Sequence, residues 1–138
     1  MTLFLDTSTL LAASGSATGA SDHAAANGWL LLASPYVLAE VAANLPRLPV
    51  SFHVAWDTIR PLLRIVPDVL TIPSPVVFAA AKDKPVLFTA YASADILLVM
   101  DKADFSGVIA DGFYGLRVMT PGSFLRKLRD SGTLPLNL

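Results

Sequence analysis

The chain has 138 residues, enough for one domain with a proper core, and its 54% apolar and 15% charged residues exclude a disordered chain. A formal charge of −1 excludes a generally basic nucleic-acid surface, so any such contact must come from a few clustered Lys and Arg residues. Cysteine is absent, which removes disulfides and thiolate metal sites and suits a cytoplasmic setting; no apolar run reaches the roughly 20 residues of a membrane span, and no secretory leader is expected.

Thr2 to Leu5 is a short β-favouring apolar run that ends at Asp6, as a buried parallel strand would. Thr7 to Ala13 can start a helix, and a loose loop of small residues follows. Ser21 fits an N-cap for a short helix over Asp22 to Asn27, with Gly28 stopping it. Leu30 to Ala33 reads as the second strand. Ser34-Pro35 then marks a helix start, and Val37, Leu38, Val41, Ala42 and Leu45 recur at helical spacing until Pro46. Ser51 to Leu63 reads as a further helix with a late kink at Pro61, and a third strand is expected around Arg64 to Val69.

After the proline-spaced stretch Thr71 to Pro75, the pattern predicts a helix over Val76 to Ala81. Another follows over Lys84 to Ala94, with Asp83 as its N-cap. Ile96 to Met100 is the clearest strand, an apolar run between Asp95 and Asp101. Leu116 to Met119 is the last strand, and Thr120-Pro121 caps a terminal helix over Gly122 to Asp130. Strands alternating with helices predict an α/β fold, a parallel sheet covered by helices on both faces, within a single domain over residues 1–138. Sites in such sheets form beyond the carboxyl ends of the strands, where Asp6 and Asp101 both sit.

The acids are unevenly distributed: ten are Asp, and the single Glu, Glu40, lies within the apolar helix that starts at Pro35. Glu40 is either that helix's solvent-facing residue or a group reaching over the strand ends toward Asp6. Asp6 can cap the following helix and still bind a metal. Asp101 can be a turn residue, Asp104 can support it or cap the next turn, and Asp83 is most economically a cap. Asp95 opens the strand that Asp101 closes, so only Asp101 shares an end with Asp6. Two carboxylates 4 Å apart repel by about 4 kcal/mol at an effective dielectric of 20, so their convergence calls for a proton or a divalent ion. An all-oxygen donor set suits Mg²⁺ or Mn²⁺, ions that also coordinate phosphate oxygens and lower the pKa of a water, which points to phosphodiester hydrolysis.

Taken in order, Leu5-Asp6-Thr7-Ser8, Ser34-Pro35-Tyr36-Val37-Leu38-Ala39-Glu40, Asp83-Lys84-Pro85-Val86-Leu87, Ala94-Asp95-Ile96-Leu97-Leu98-Val99-Met100-Asp101, Asp104-Phe105 and Leu116 to Leu125 resemble the PIN-domain ribonucleases, whose bacterial members include many VapC-type toxins. The resemblance implies a three-layer α/β/α sandwich and four acidic site positions, Asp6, Glu40, Asp83 and Asp101. Ser8 and Asp104 would support them, and Mg²⁺ or Mn²⁺ would be the cofactor. It also implies single-stranded RNA as substrate, while the high apolar content, with several aromatic and Met residues, leads us to expect a homodimer or an antitoxin-bound complex. Lys102 is a candidate phosphate contact because it adjoins Asp101. Val99 stands where the family usually carries Thr or Ser, so the alternative is a catalytically degenerate PIN-like module that binds RNA or protein.

Other chemistries fit less well. His23 and His53 are far apart in sequence with no Cys nearby, which argues against zinc. No Gly-x-Ser-x-Gly elbow or Gly-rich phosphate loop occurs. A haloacid-dehalogenase phosphatase also begins with a strand ending in Asp, but needs a second Asp where Ser8 stands. Arg126, Lys127 and Arg129 match the dipole of the terminal helix, while Trp29, Phe52 and Trp56 are expected in the core or an interface.

Overall fold

Five strands make one all-parallel sheet in the order β3-β2-β1-β4-β5: β1 Thr2–Leu5, β2 Leu30–Ala33, β3 Leu63–Ile65, β4 Ile96–Leu98 and β5 Arg117–Met119. The structure, a computed structural model, describes residues 1–14, 28–74, 76, 78 and 80–132. Helices α1 Thr7–Ser14, α2 Pro35–Asn44, α3 Val50–Ile59, α4 Lys84–Ser93, α5 Ser106–Ile109 and α6 Pro121–Asp130 flank the sheet, the arrangement of a three-layer α/β/α sandwich. The central strands β1 and β4, rich in Leu, Ile and Phe, suit this position because both of their faces are covered, whereas the edge strand β3 leaves Arg64 and Ile65 exposed. In β1 and β4, Leu3, Phe4, Leu97 and Leu98 are fully buried.

The strand order fixes where a site can form. The chain builds outward from β1 to β2 and β3, then crosses back to place β4 on the other side of β1. The direction of winding therefore reverses between β1 and β4, and the crevice beyond their carboxyl ends is the usual ligand position in such sheets. Phe4 pairs with Leu97 and Leu5 with Leu98. Pairing continues one residue further, because the Asp6 amide donates to the Leu98 carbonyl at 3.2 Å. Asp6 is thus held at the crevice by the sheet itself.

Most predicted elements occur with small shifts. Ser34 caps α2 through its side chain, with Pro35 at the first helical position, and Thr120 caps α6 in the same way. Pro61 ends α3 rather than kinking it: the helix stops at Ile59, a 3₁₀ turn Arg60–Leu62 follows, and Leu63 is already in β3. β4 ends at Leu98, short of Met100. The helix expected over Val76 to Ala81 is not observed; the described residues there are irregular until a 3₁₀ turn, Ala81–Asp83. The helix expected over Asp22 to Asn27, with Ser21 and His23, lies outside the described residues. No helix among the described residues is long and apolar enough to cross a membrane.

Candidate functional site

Asp6 is 6% exposed. Its Oδ1 accepts the Thr9 amide at 2.8 Å, and the Ser8 hydroxyl lies 3.1 and 3.0 Å from its two oxygens. The carboxylate therefore caps α1 while lying in the crevice, so the capping and site roles coexist. Burial raises its pKa, the hydrogen bonds from Thr9 and Ser8 oppose that, and the charge of Glu40 adds to the rise.

Glu40 is half-buried on α2, and its Oε1 accepts the Thr7 hydroxyl at 2.7 Å. The side chain thus turns toward the start of α1. Its own carbonyl accepts the Asn44 side-chain amide at 2.7 Å.

Asp83 ends the 3₁₀ turn ahead of α4, but makes no capping bond with its side chain, contrary to the sequence expectation. Its carboxyl is shared with Asp104 instead. Burial, the hydrogen bond to Asp104 and that neighbour's charge push the Asp83 pKa up to about 6, against the pull of Lys82. At Asp104 burial pushes upward as well, but hydrogen bonds from Asp83 and Lys82 outweigh it and hold the carboxyl low. The two carboxyls titrate as a pair, with Asp83 pushed up and Asp104 held low. Lys82 Nζ reaches Asp104 Oδ2 at 3.3 Å. Asp101 is exposed, and its Oδ1 accepts the Asp104 amide at 2.9 Å, so it is also the turn residue expected.

One cavity of about 230 Å³ collects these groups: Asp6, Glu40, Asp83, Asp101 and Asp104 line it, with Thr7, Ser8, Asn44 and Lys82. The predicted acids thus share one space. Lys102 is exposed and is not among the lining residues. The cation in that place is Lys82, which adjoins Asp83 in sequence, rather than Lys102 beside Asp101. Thr7, Asn44 and Tyr36 were also missed, although Tyr36 stands one helical turn before Glu40, a spacing that sequence displays. The donors are all oxygen, which fits Mg²⁺ or Mn²⁺ in kind. Among the described residues no three acidic or histidine side chains are drawn together as a ready-made cage, so holding an ion would require the carboxylates to turn inward.

Val99 is fully buried, its amide donates to the Met119 carbonyl at 3.0 Å, and it does not line the cavity. Asp95 lies at the opposite ends of the strands, where Thr2 donates to it from its amide at 2.9 Å and its hydroxyl at 3.0 Å. A larger cavity of about 390 Å³ beside β5 carries Asp111, Arg117 and Lys127 without a comparable cluster. Comparison with protein-family models, with curated proteins and with solved structures returns no match.

Proposed function

We propose that the chain is a metal-dependent endoribonuclease of the PIN type that hydrolyses phosphodiester bonds of single-stranded RNA with Mg²⁺ or Mn²⁺. Within this reading it is the toxin of a toxin–antitoxin pair. The observation that supports it most is the gathering of Asp6, Glu40, Asp83 and Asp101 around one cavity beyond β1 and β4, where the winding of the sheet reverses. The acids come from four separate stretches of chain, and their mutual repulsion opposes the gathering even where single residues such as Asp6 and Asp101 also cap a helix or turn. Burial is the main cause of the raised pKa values of Asp6 and Asp83, and the charge of Glu40 adds to both.

Asp6, Glu40, Asp83 and Asp101 would hold the ion, oriented by Ser8 on Asp6 and by Thr7 on Glu40. When bound, the ion supplies an activated water and neutralises charge gathering on the phosphoryl oxygens. Asp104, its carboxyl held low beside Lys82, lies next to Asp83, and Lys82 at the rim offers its ammonium to a phosphate. RNA, an antitoxin protein and a second copy of the chain are the partners this reading brings. Val50 and Val54, exposed one turn apart on α3, offer apolar surface for the last.

The test is incubation with single-stranded RNA and Mn²⁺ or Mg²⁺, alongside Asp6→Asn and Asp101→Asn. Cleavage by the wild type and its loss in both variants is expected; cleavage unchanged in both would sink the reading. A second reading, a catalytically degenerate PIN-like module that binds RNA or protein, draws on the absence of a ready-made cage among the described residues and on the apolar Val99. Calorimetric titration with Mn²⁺ separates the two, because a degenerate module shows no binding that depends on Asp6.

A further inference from the structure

Asp83 reaches the cavity from the least regular part of the described chain. The described residues between Ile65 and Ala81 form no helix or strand, and the turn at Asp83 carries local bonds, the Asp83 amide to the Ala80 carbonyl at 2.9 Å and the Lys84 amide to the Ala81 carbonyl. Such bonds set the shape of a turn but not its place. Beyond Asp83, α4 anchors the backbone through Val86 to Ala90, all buried. Ahead of it, beside the packing of Val76 and Phe78 on the core, a direct bond to the turn comes from another element: the Tyr36 hydroxyl donates to the Lys82 carbonyl at 2.6 Å. The Lys82–Asp104 ion pair is a weaker tie, made by a side chain that is 73% exposed and screened by solvent.

Tyr36 is well placed to act as a strut. Its amide donates to both Asp68 oxygens at 3.2 Å, which fixes the first turn of α2. Glu40 follows four residues later on the same helix face. The ring has only two side-chain torsions, so the distance it sets is stiff.

We infer that Tyr36 is a positioning residue, whose hydroxyl bond to the Lys82 carbonyl holds Asp83 beside Glu40 so that both acids close on one cation. The inference rests on the metal-site reading of this cavity. It predicts that Tyr36 acts through Asp83 and without touching the ion.

Calorimetric titration with Mn²⁺ tests it on the wild type, Tyr36→Phe, Asp83→Asn and the double variant, with Asp6→Asn as the loss control. Tyr36→Phe is expected to weaken Mn²⁺ binding about 10-fold, the low end for removing a group that orients a ligand. In the Asp83→Asn background the same change should add little, because the residue it positions is gone. Thermal denaturation of each variant shows whether the chain still folds. Wild-type affinity in Tyr36→Phe, with binding lost in Asp6→Asn, overturns the role of Tyr36 alone. A penalty that persists undiminished without Asp83 overturns it too, since Tyr36 would then act by another route. No Mn²⁺ binding by the wild type overturns the metal-site reading and this inference with it.

Discussion

The Thr7 hydroxyl donates to Glu40 Oε1 at 2.7 Å, joining the first residue of α1 to the only glutamate of the chain. Thr7 follows Asp6, so two adjacent residues reach two different acids of the cavity: Asp6 supplies one carboxylate and Thr7 aims the other. A Glu on a helix surface has three torsions to fix, and a single short bond to a neighbouring element removes most of that freedom.

Thr7→Val keeps the branched shape and deletes only the hydroxyl. Mn²⁺ affinity is expected to fall about 10-fold, as for loss of a group that orients a ligand. Stability should change by only about 1 kcal/mol, the usual net worth of one hydrogen bond. Calorimetry and urea denaturation read the two effects separately, and an unaltered Mn²⁺ affinity would remove Thr7 from the site.

The Asp83 pKa of about 6 lies above its ordinary value of 3.8, so between those limits the folded chain holds more protons than the unfolded one. Its stability without metal should therefore fall as pH rises from about 4 to about 6, and Asp6, raised by burial, adds in the same direction. Asp95 acts oppositely: bonds from Thr2 lower its pKa, so its contribution is present above 3.8 and lost as pH falls below that value. Asp83→Asn should flatten the decline and leave the variant more stable than the wild type at pH 7.5. Urea melts at several pH values between 4.5 and 7.5 check this. A decline as steep in the variant would assign it to another group.

The fold was legible where one physical rule dominated. The apolar runs before Asp6 and Asp101, and the Ser34-Pro35 and Thr120-Pro121 caps, foretold β1, β4 and two helices within a residue or two, while β3 ends at Ile65 rather than near Val69. It was not legible where competing rules were close in strength. Asp83 before Lys84-Pro85 has the pattern of a cap, yet its carboxyl is taken by Asp104, a long-range pairing that local spacing cannot reveal. The four residues of α5 are too few to show a helical period, and Val76 to Ala81 has apolar content without caps. The acids themselves were visible as a set only through their order along the chain. Which lysine joins them depends on the turn before α4, which local spacing does not show, so adjacency to Asp101 points to Lys102 where the fold places Lys82.

Val99 separates likeness in sequence from placement in space. It is fully buried, and its amide is already paired with the Met119 carbonyl. Val99→Thr would bury a hydroxyl at a position that does not line the cavity, and is expected to destabilise by about 1 to 3 kcal/mol with no gain in Mn²⁺ affinity. Denaturant unfolding and Mn²⁺ titration of the variant decide it; tighter Mn²⁺ binding would show that the hydroxyl restores support to the acids.

Lys82 and Lys102 give opposite expectations for the same kind of change. The Lys82 ammonium sits on Asp104 at the rim of the acidic cavity, and Asp104 together with Asp83 and Asp101 holds its pKa above the ordinary lysine value. Lys82→Met removes a positive charge from among carboxylates, so Mn²⁺ should bind more tightly while RNA binds more weakly. If Lys82 meets a phosphate, the dependence of log affinity on log salt should lessen by about one ion. Lys102→Met should leave Mn²⁺ affinity unchanged, because that side chain is exposed and outside the cavity lining. Fluorescence anisotropy of a labelled single-stranded RNA, measured at several salt concentrations with cleavage blocked by Asp6→Asn, reads the slope in each background. A slope lessened by Lys102→Met and untouched by Lys82→Met would place the phosphate path on the Asp101 side and reverse the assignment.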